Sequence, residues 1–196
     1  MRVYAAAAVL WTLVLGAAPA AAVEWPTVRE WGLQAGGGND IRSGVQYYSL
    51  QPYVGFGLWH GIDGWLEDRG MHALWMIEPW VAFVSDQQGD SQSDSFEIGF
   101  SPVFFRLAFG NGALRPYVEG GLGLVYTDLR SEIRVGQDLG QRMQFSEQGG
   151  VGLQYLVDDD LAVSLAVRFR HISNAGIADS NPGLDTLYGL IGLSWR

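Results

Sequence analysis

The chain has 196 residues, with 12 Arg, no Lys and no Cys against 21 acidic residues, so its net charge is −9 at pH 7. Such an acidic chain is not expected to bind nucleic acid, because phosphates require a cationic surface. Without Cys it has no disulfide framework, and its stability has to come from packing and pairing. The 27 Gly, 8 Trp, 8 Tyr and 9 Phe, at a mean hydropathy close to zero, are typical of a membrane β-barrel.

The N-terminus has the features of a secretory signal peptide over residues 1–22. Arg2 is followed by an apolar run over residues 5–15, which is too short to span a bilayer, and then by small residues that include Ala20 and Ala22. We expect cleavage before Val23 or close to it. The mature chain is then a single domain over residues 23–196, in which 11 Arg face 21 acidic residues.

The rest of the sequence predicts an all-β fold, an eight-stranded antiparallel up-and-down transmembrane β-barrel. Apolar and polar or small residues alternate with a period of two, and no amphipathic helix is indicated. The predicted strands are Thr27–Gly37, Gly44–Gly57, Met71–Val84, Ser95–Phe109, Ala113–Thr127, Arg142–Leu156, Leu161–Ile172 and Leu184–Trp195. In the fourth strand the alternation changes phase, which predicts a β-bulge near Pro102. Trp195, one residue from the end, resembles the C-terminal signature of outer-membrane barrels.

The connections between the strands alternate in length, as in barrels with short periplasmic turns and long external loops. Residues 110–112 and 157–160 form short turns, whereas residues 85–94, 128–141 and 173–183 form polar loops. The acidic loop 85–94 lacks a metal-ligand spacing and is interpreted as solvated. Leu58–Gly70 is longer than a periplasmic turn, and we expect it to cover the base of the barrel.

Ten charged residues are predicted to fill the interior of a barrel that is too narrow to conduct. They are Glu30, Glu78, Glu97, Glu119, Glu147, Arg29, Arg106, Arg115, Arg168 and Arg170. His60 and His72 have no comparable partners in the sequence and are interpreted as structural or solvated.

Three polar residues fall on strand faces that are otherwise apolar. His171 and Ser173 continue the apolar odd-numbered face of the seventh strand, which we interpret as the lipid face. Asp185 shares the apolar face of the eighth strand, and a hairpin brings it opposite the end of the seventh. Polar groups facing hydrocarbon are costly unless they bond one another or have a function. These three residues are therefore the best candidates for a site.

The same three residues have the chemistry of a serine esterase. Ser173 would be the nucleophile, His171 the general base and then acid, and Asp185 the acceptor for the second imidazole nitrogen. Free backbone amides in the turn after Ser173, of which Gly176 is the least hindered, are candidates for an oxyanion hole.

The string His171-Ile172-Ser173-Asn174-Ala175-Gly176, followed by Asn181-Pro182-Gly183, resembles the His-x-Ser-Asn core and the Asn-Pro-Gly segment of the PagL-type lipid A 3-O-deacylase family. The resemblance covers roughly the last thirty residues. It implies that His171 and Ser173 are catalytic and that Asp185 takes the place of an acid that is often Glu in the family. It also implies that the backbone amides of Asn174 and Gly176 form the oxyanion hole.

The resemblance further implies the reaction, hydrolysis of the ester-linked β-hydroxyacyl chain at the 3-position of lipid A. Its implied place is the outer membrane, with the site at the extracellular side facing the outer leaflet. The partners are then lipid A and outer-membrane lipid, no cofactor or metal is implied, and a homodimer is left open. Two other classes stay open as well: a non-enzymatic structural or adhesive barrel, and a soluble lipocalin-like barrel that would keep its apolar faces inside.

Overall fold

The computed structural model describes residues 26–86, 93–128, 139–178, 181 and 183–196. Its eight strands form one closed antiparallel barrel, in which each strand pairs with its neighbours in the chain and the last pairs with the first. The predicted architecture is therefore confirmed. The proposed signal peptide and parts of the loops 85–94, 128–141 and 173–183 lie outside the described residues.

The strand bounds agree closely with the sequence interpretation. The strands are β1 Val28–Asp40, β2 Gln46–Phe56, β3 Met71–Asp86, β4 Ser93–Phe109, β5 Leu114–Thr127, β6 Met143–Leu156, β7 Leu161–Ser173 and β8 Leu184–Trp195. β8 has the predicted bounds, and every other end moves by at most three residues. The pairing of β4 with β5 shifts register between Phe100 and Val103, which confirms the bulge near Pro102.

The outer wall of the barrel is apolar because the period of two is kept along each strand. In β7, Leu165, Val167 and Phe169 are 59%, 51% and 41% exposed, whereas the residues between them, such as Ala166 and Arg168, are buried in the barrel. Leucine, valine and phenylalanine on a continuous outer band suit a hydrocarbon solvent. The odd-numbered face of β7 is therefore the outward face, as predicted.

The interior is filled by ion pairs centred on Arg168. Arg168 lies 2.6 Å from Glu78 and 2.8 Å from Glu119, and Arg106 lies 2.9 Å from the second oxygen of Glu119. Of the ten charged residues predicted inside, those that are buried are Glu30, Glu78, Glu97, Glu119, Arg106, Arg115, Arg168 and Arg170. Eight of the ten predicted interior charges are therefore inside the barrel.

The predicted interior positions of Glu147 and Arg29 are wrong. Glu147 is exposed on the outer wall, because it occupies an odd position in β6 between the outward-facing Phe145 and Val151. Arg29 lies at the register irregularity between Val28 and Glu30, and its half-exposed side chain lies 3.6 Å from Asp63 outside the interior network.

One helix interrupts the all-β pattern, so the expectation of no amphipathic helix is wrong. Helix α1, His60–Glu67, lies within Leu58–Gly70, where its Leu66 is buried and its Ile62 and Trp65 are exposed. Asp63 accepts a hydrogen bond from the Leu58 backbone amide at 3.1 Å. Two glycines within eight residues disfavour a helix on propensity alone, which concealed it in the sequence. No helix among the described residues is long and apolar enough to cross a membrane.

The other histidines lie away from the site. His72 Nε2 is 3.2 Å from Asn111 Oδ1, where β3 approaches the turn between β4 and β5. This contact supports the structural interpretation of His72. The side chain of His60 lies outside the described part of the chain.

Candidate active site

The hairpin of β7 and β8 places a histidine and a carboxylate next to each other on the outer wall. His171 pairs directly with Asp185 in the β7–β8 register, and both side chains point outward. His171 Nδ1 lies 2.6 Å from Asp185 Oδ1. A carboxylate at this distance accepts a hydrogen bond from Nδ1–H, which leaves Nε2 available as the basic nitrogen of the ring.

Ser173 ends β7 on the same outward face, two residues from His171. Within the described residues no hydrogen bond joins Ser173 Oγ to His171 Nε2. Residues two apart on a strand are separated by about 6.5 Å along the chain, so their side chains have to lean toward each other to meet. Catalytic hydrogen bonds are often long in unliganded sites and tighten in the complex with substrate.

The turn after Ser173 carries the two backbone amides that were candidates for the oxyanion hole. We expected them to be free, but both donate hydrogen bonds. The Asn174 amide donates to Asn181 Oδ1 at 2.8 Å, and the Gly176 amide donates to Asn174 Oδ1 at 2.9 Å. Asn174 is fully buried, and its side-chain nitrogen donates to the Leu139 carbonyl at 2.9 Å. For either amide to bind another oxygen, its present acceptor has to move away.

Backbone strain is concentrated at this same turn. Ala175 has φ 54°, the only positive φ of a non-glycine residue in the described ranges, and Gly176 follows with φ 76°. Left-handed conformations of residues with a Cβ are held only where the surroundings require them, and they cluster at functional sites.

Gly183 touches the imidazole ring of His171 directly. A Cβ at Gly183 would lie 2.7 Å from His171 Cε1 and 2.8 Å from the Ile172 carbonyl oxygen, and its φ of 65° favours glycine. Gly183 therefore forms one wall of the space occupied by the ring.

The turn between β1 and β2 also reaches the site. Arg42 Nη2 lies 2.9 Å from Asp185 Oδ2, and the backbone amide of Asp185 donates to Asp40 Oδ2 at 2.7 Å. A further charge comes from β6, where the exposed Glu147 pairs with His171 in the strand register. His171 thus has charged neighbours on three elements: Asp185, Arg42 and Glu147.

Sequence analysis identified His171, Ser173 and Asp185, and the structure brings them to one outward end of the β7–β8 hairpin. Asp40, Arg42 and the contact of Gly183 with His171 were not predicted from the sequence. The segment Asp40-Ile41-Arg42-Ser43-Gly44 carries the Asp, Ser and Gly of a side-chain-stabilised turn. That signal predicts a turn but does not say which strand the turn touches.

Metal binding has no candidate cluster in the parts of the chain that the structure describes, where no three His, Cys, Asp or Glu side chains come together. The arrangement present is a base, a hydroxyl and an acid on an apolar wall, with strained backbone amides beside them.

A closed eight-stranded barrel with an apolar outer wall defines a small membrane β-barrel of the outer-membrane type, and a His–carboxylate pair beside a serine gives it a hydrolase-like site. A family model described as lipid A 3-O-deacylase (PagL) matches residues 31–194. The chain belongs to this family.

Individual relatives agree with the family match. The chain is 32% identical over 99 residues to the lipid A deacylase PagL of Pseudomonas aeruginosa, and the aligned segment is 50% of this chain and 53% of that protein. The chain thus matches about half the length of this relative.

Two solved structures show the same fold. The crystal structure of the outer membrane enzyme PagL superposes with a TM-score of 0.66 at 20% identity, covering 82% of this chain and 97% of that one. Neisserial surface protein A gives a TM-score of 0.51 at 12% identity, covering 85% of this chain and 94% of that one.

Proposed function

We propose that the protein is a lipid A 3-O-deacylase, a serine esterase that hydrolyses the ester-linked β-hydroxyacyl chain at the 3-position of lipid A. The observation that carries the proposal is the 2.6 Å contact of His171 with Asp185 on the outward face, two residues along β7 from Ser173. Membership of the lipid A 3-O-deacylase family supports the same reaction and the same substrate.

The first step is acyl transfer to Ser173. His171 Nε2 removes the hydroxyl proton as Ser173 Oγ attacks the ester carbonyl, and Asp185 stabilises the imidazolium that forms. The tetrahedral intermediate collapses when His171 returns the proton to the leaving sugar oxygen. Water then attacks the acyl-enzyme with His171 again as base, and a β-hydroxy fatty acid leaves.

Oxyanion stabilisation is assigned to the backbone amides of Asn174 and Gly176. Their present acceptors, Asn181 Oδ1 and Asn174 Oδ1, are neutral amide oxygens. A developing oxyanion is a stronger acceptor because it is charged, and such charge-assisted bonds are about twice as strong as neutral ones. Exchange of the acceptors is therefore favoured as the tetrahedral intermediate forms.

The lengths of the connections support an extracellular position of the site. The site lies at the end of the barrel that holds the β1–β2 and β7–β8 connections, and the short turns over residues 110–113 and 157–160 lie at the other end. Outer-membrane barrels place their short turns in the periplasm. The site then faces the outer leaflet, where lipid A resides.

Lipid A mass spectrometry tests the proposal. Cells expressing the wild-type chain are expected to lose the 3-linked acyl chain, and cells expressing Ser173→Ala at the same level of folded barrel are expected to keep it. His72→Ala is the matched control, because it removes a histidine at the opposite end of the barrel and should leave deacylation intact. Unchanged lipid A in the wild type would favour the structural or adhesive barrel instead.

A further inference from the structure

The acid of the proposed triad is held by a turn from the other end of the chain. Asp185 uses its Oδ1 on His171, and its Oδ2 lies 2.9 Å from Arg42 Nη2. Each oxygen of the carboxylate therefore has its own partner, and the carboxylate cannot rotate about its terminal bond without losing both.

Arg42 also contacts the other residue that touches the imidazole. The same Nη2 donates to the Gly183 carbonyl at 3.2 Å. Gly183 lies against the Cε1–Nε2 edge of His171, and Asp185 binds the Nδ1 edge. One guanidinium nitrogen thus joins the two groups that enclose the ring.

The turn that carries Arg42 is fixed by the buried carboxylate of Asp40. Asp40 Oδ1 accepts from the Arg42 amide at 3.0 Å and from the Ser43 amide and hydroxyl at 2.6 Å each. Its Oδ2 accepts from the Asp185 amide at 2.7 Å, and the Ile41 amide donates to the Asp185 carbonyl at 2.7 Å. The turn and the acid are therefore built as one unit across the β1–β8 closure of the barrel.

Stability alone does not account for this arrangement. The Arg42 side chain is 42% exposed, and exposed ion pairs contribute little to stability because water and salt screen them. The contacts of the Arg42 guanidinium, in contrast, orient Asp185 and Gly183, the two residues that enclose the His171 ring.

We infer that Arg42 is a positioning residue of the active site, which acts through Asp185 and Gly183 to hold the His171 ring in its productive orientation. The inference rests on the proposed esterase function. Arg42 contacts Asp185 and Gly183 and makes no hydrogen bond to His171 among the described residues, so removing it should lower the rate of acyl transfer and leave substrate affinity nearly unchanged.

The test is a double-mutant cycle on the purified, refolded barrel with lipid A as substrate. Arg42→Gln in the wild-type background should lower kcat about ten-fold or more with little change in KM, and Arg42→Lys should recover part of the loss. In an Asp185→Ala background, Arg42→Gln should have a much smaller further effect, because one of the two groups through which it acts is gone. Arg142→Gln is the matched control: Arg142 is an exposed arginine at the same end of the barrel, bonded to Tyr126, and should leave kcat unchanged.

Three results would overturn the inference. An unchanged kcat in folded Arg42→Gln would show that Arg42 is dispensable. Losses that multiply in the Asp185→Ala background would show that Arg42 acts on its own. A rise in KM that disappears with dephosphorylated lipid A would make Arg42 a contact for substrate phosphate. A wild-type protein without activity, or an active Ser173→Ala variant, would instead contradict the esterase function itself, so the two failures are distinguishable.

Discussion

The barrel contains two polar clusters that differ in almost every respect. Inside, Arg168 is fully buried and bonded to Glu78 and Glu119, with Gln51 and Gln34 as further partners. On the outer wall, His171 and Asp185 have side chains that are 33% and 20% exposed, in a surface that is mainly apolar.

The difference separates groups that maintain the fold from groups that do not. Desolvated charges in the interior cannot lose a partner without leaving an uncompensated charge behind. The charges of the outer cluster are partly exposed, so the loss of a partner there costs less. We therefore expect substitutions in the interior Arg168 cluster to affect stability and substitutions in the outer cluster of His171 and Asp185 to affect activity.

The largest loss of stability is expected from Arg168→Met. It leaves Glu78 and Glu119 partly unpaired in a fully buried position, which costs about 3–5 kcal/mol of unfolding free energy. Equilibrium unfolding in urea with detergent or bilayers measures it, and Arg69→Met, an exposed arginine beside α1, serves as control. Equal effects of the two substitutions would show that the interior network is not structural.

The next effect tests the apolar wall. Val167 lies at the middle of β7 and is 51% exposed, whereas Val157 lies in the turn after β6 and is 50% exposed. Val167→Arg should cost about 2–4 kcal/mol near the bilayer midplane, and Val157→Arg about 0–1 kcal/mol near the interface. Unfolding in bilayers decides between them, and the same cost at both positions would contradict the assigned membrane depth.

Gly183→Ala should affect activity more than stability. The new Cβ would lie 2.7 Å from His171 Cε1 and 2.8 Å from the Ile172 carbonyl oxygen, so the ring and this part of the backbone have to move, and the positive φ adds about 1–2 kcal/mol of strain. We expect a loss in kcat of about ten- to a hundred-fold in a barrel that still folds. Gly112→Ala, where a Cβ meets nothing within 4 Å, is the control. A fully active Gly183→Ala variant would show that the ring position is not critical.

The smallest effect concerns Asp128, just beyond β5. The backbone amide of Phe96 and the Ser95 hydroxyl hold the pKa of Asp128 below its usual value of 3.8. A lowered pKa in the folded state stabilises it above the ordinary pKa, and this contribution is lost as the pH falls through the lowered value. Asp128→Asn should therefore weaken the acid dependence of unfolding slightly. The same acid dependence of unfolding in Asp128→Asn and in the wild type would show that Asp128 does not contribute to it.

The sequence was sufficient for the barrel because a period of two leaves one answer for the face of each strand. It placed β8 within its exact bounds and located the bulge at Pro102 from a change of phase. It failed at α1, where Gly61 and Gly64 oppose helix propensity. Glu147 was assigned by its charge rather than by its odd position, which the period places outside.

The grouping of the candidate site residues was predictable where it is local and was missed where it is not. His171, Ser173 and Asp185 belong to one hairpin, so strand alternation brings them to one face. Arg42 is 141 residues from Gly183, and Asp40 is 145 from Asp185. Closure of the barrel predicts that β1 meets β8, but the register of that pair depends on the stagger of all eight strands. The sequence does not contain that stagger in any single segment.

The most direct test of the proposed serine-esterase mechanism is the rate of deacylation by purified Ser173→Ala, His171→Ala and the double variant, each at a matched amount of folded barrel. We predict that each single variant releases almost no β-hydroxy fatty acid and that the double variant is hardly slower than either. Both residues serve the same acyl-transfer step, so their losses overlap instead of multiplying. Full deacylation by Ser173→Ala would contradict the assignment of Ser173 as the nucleophile.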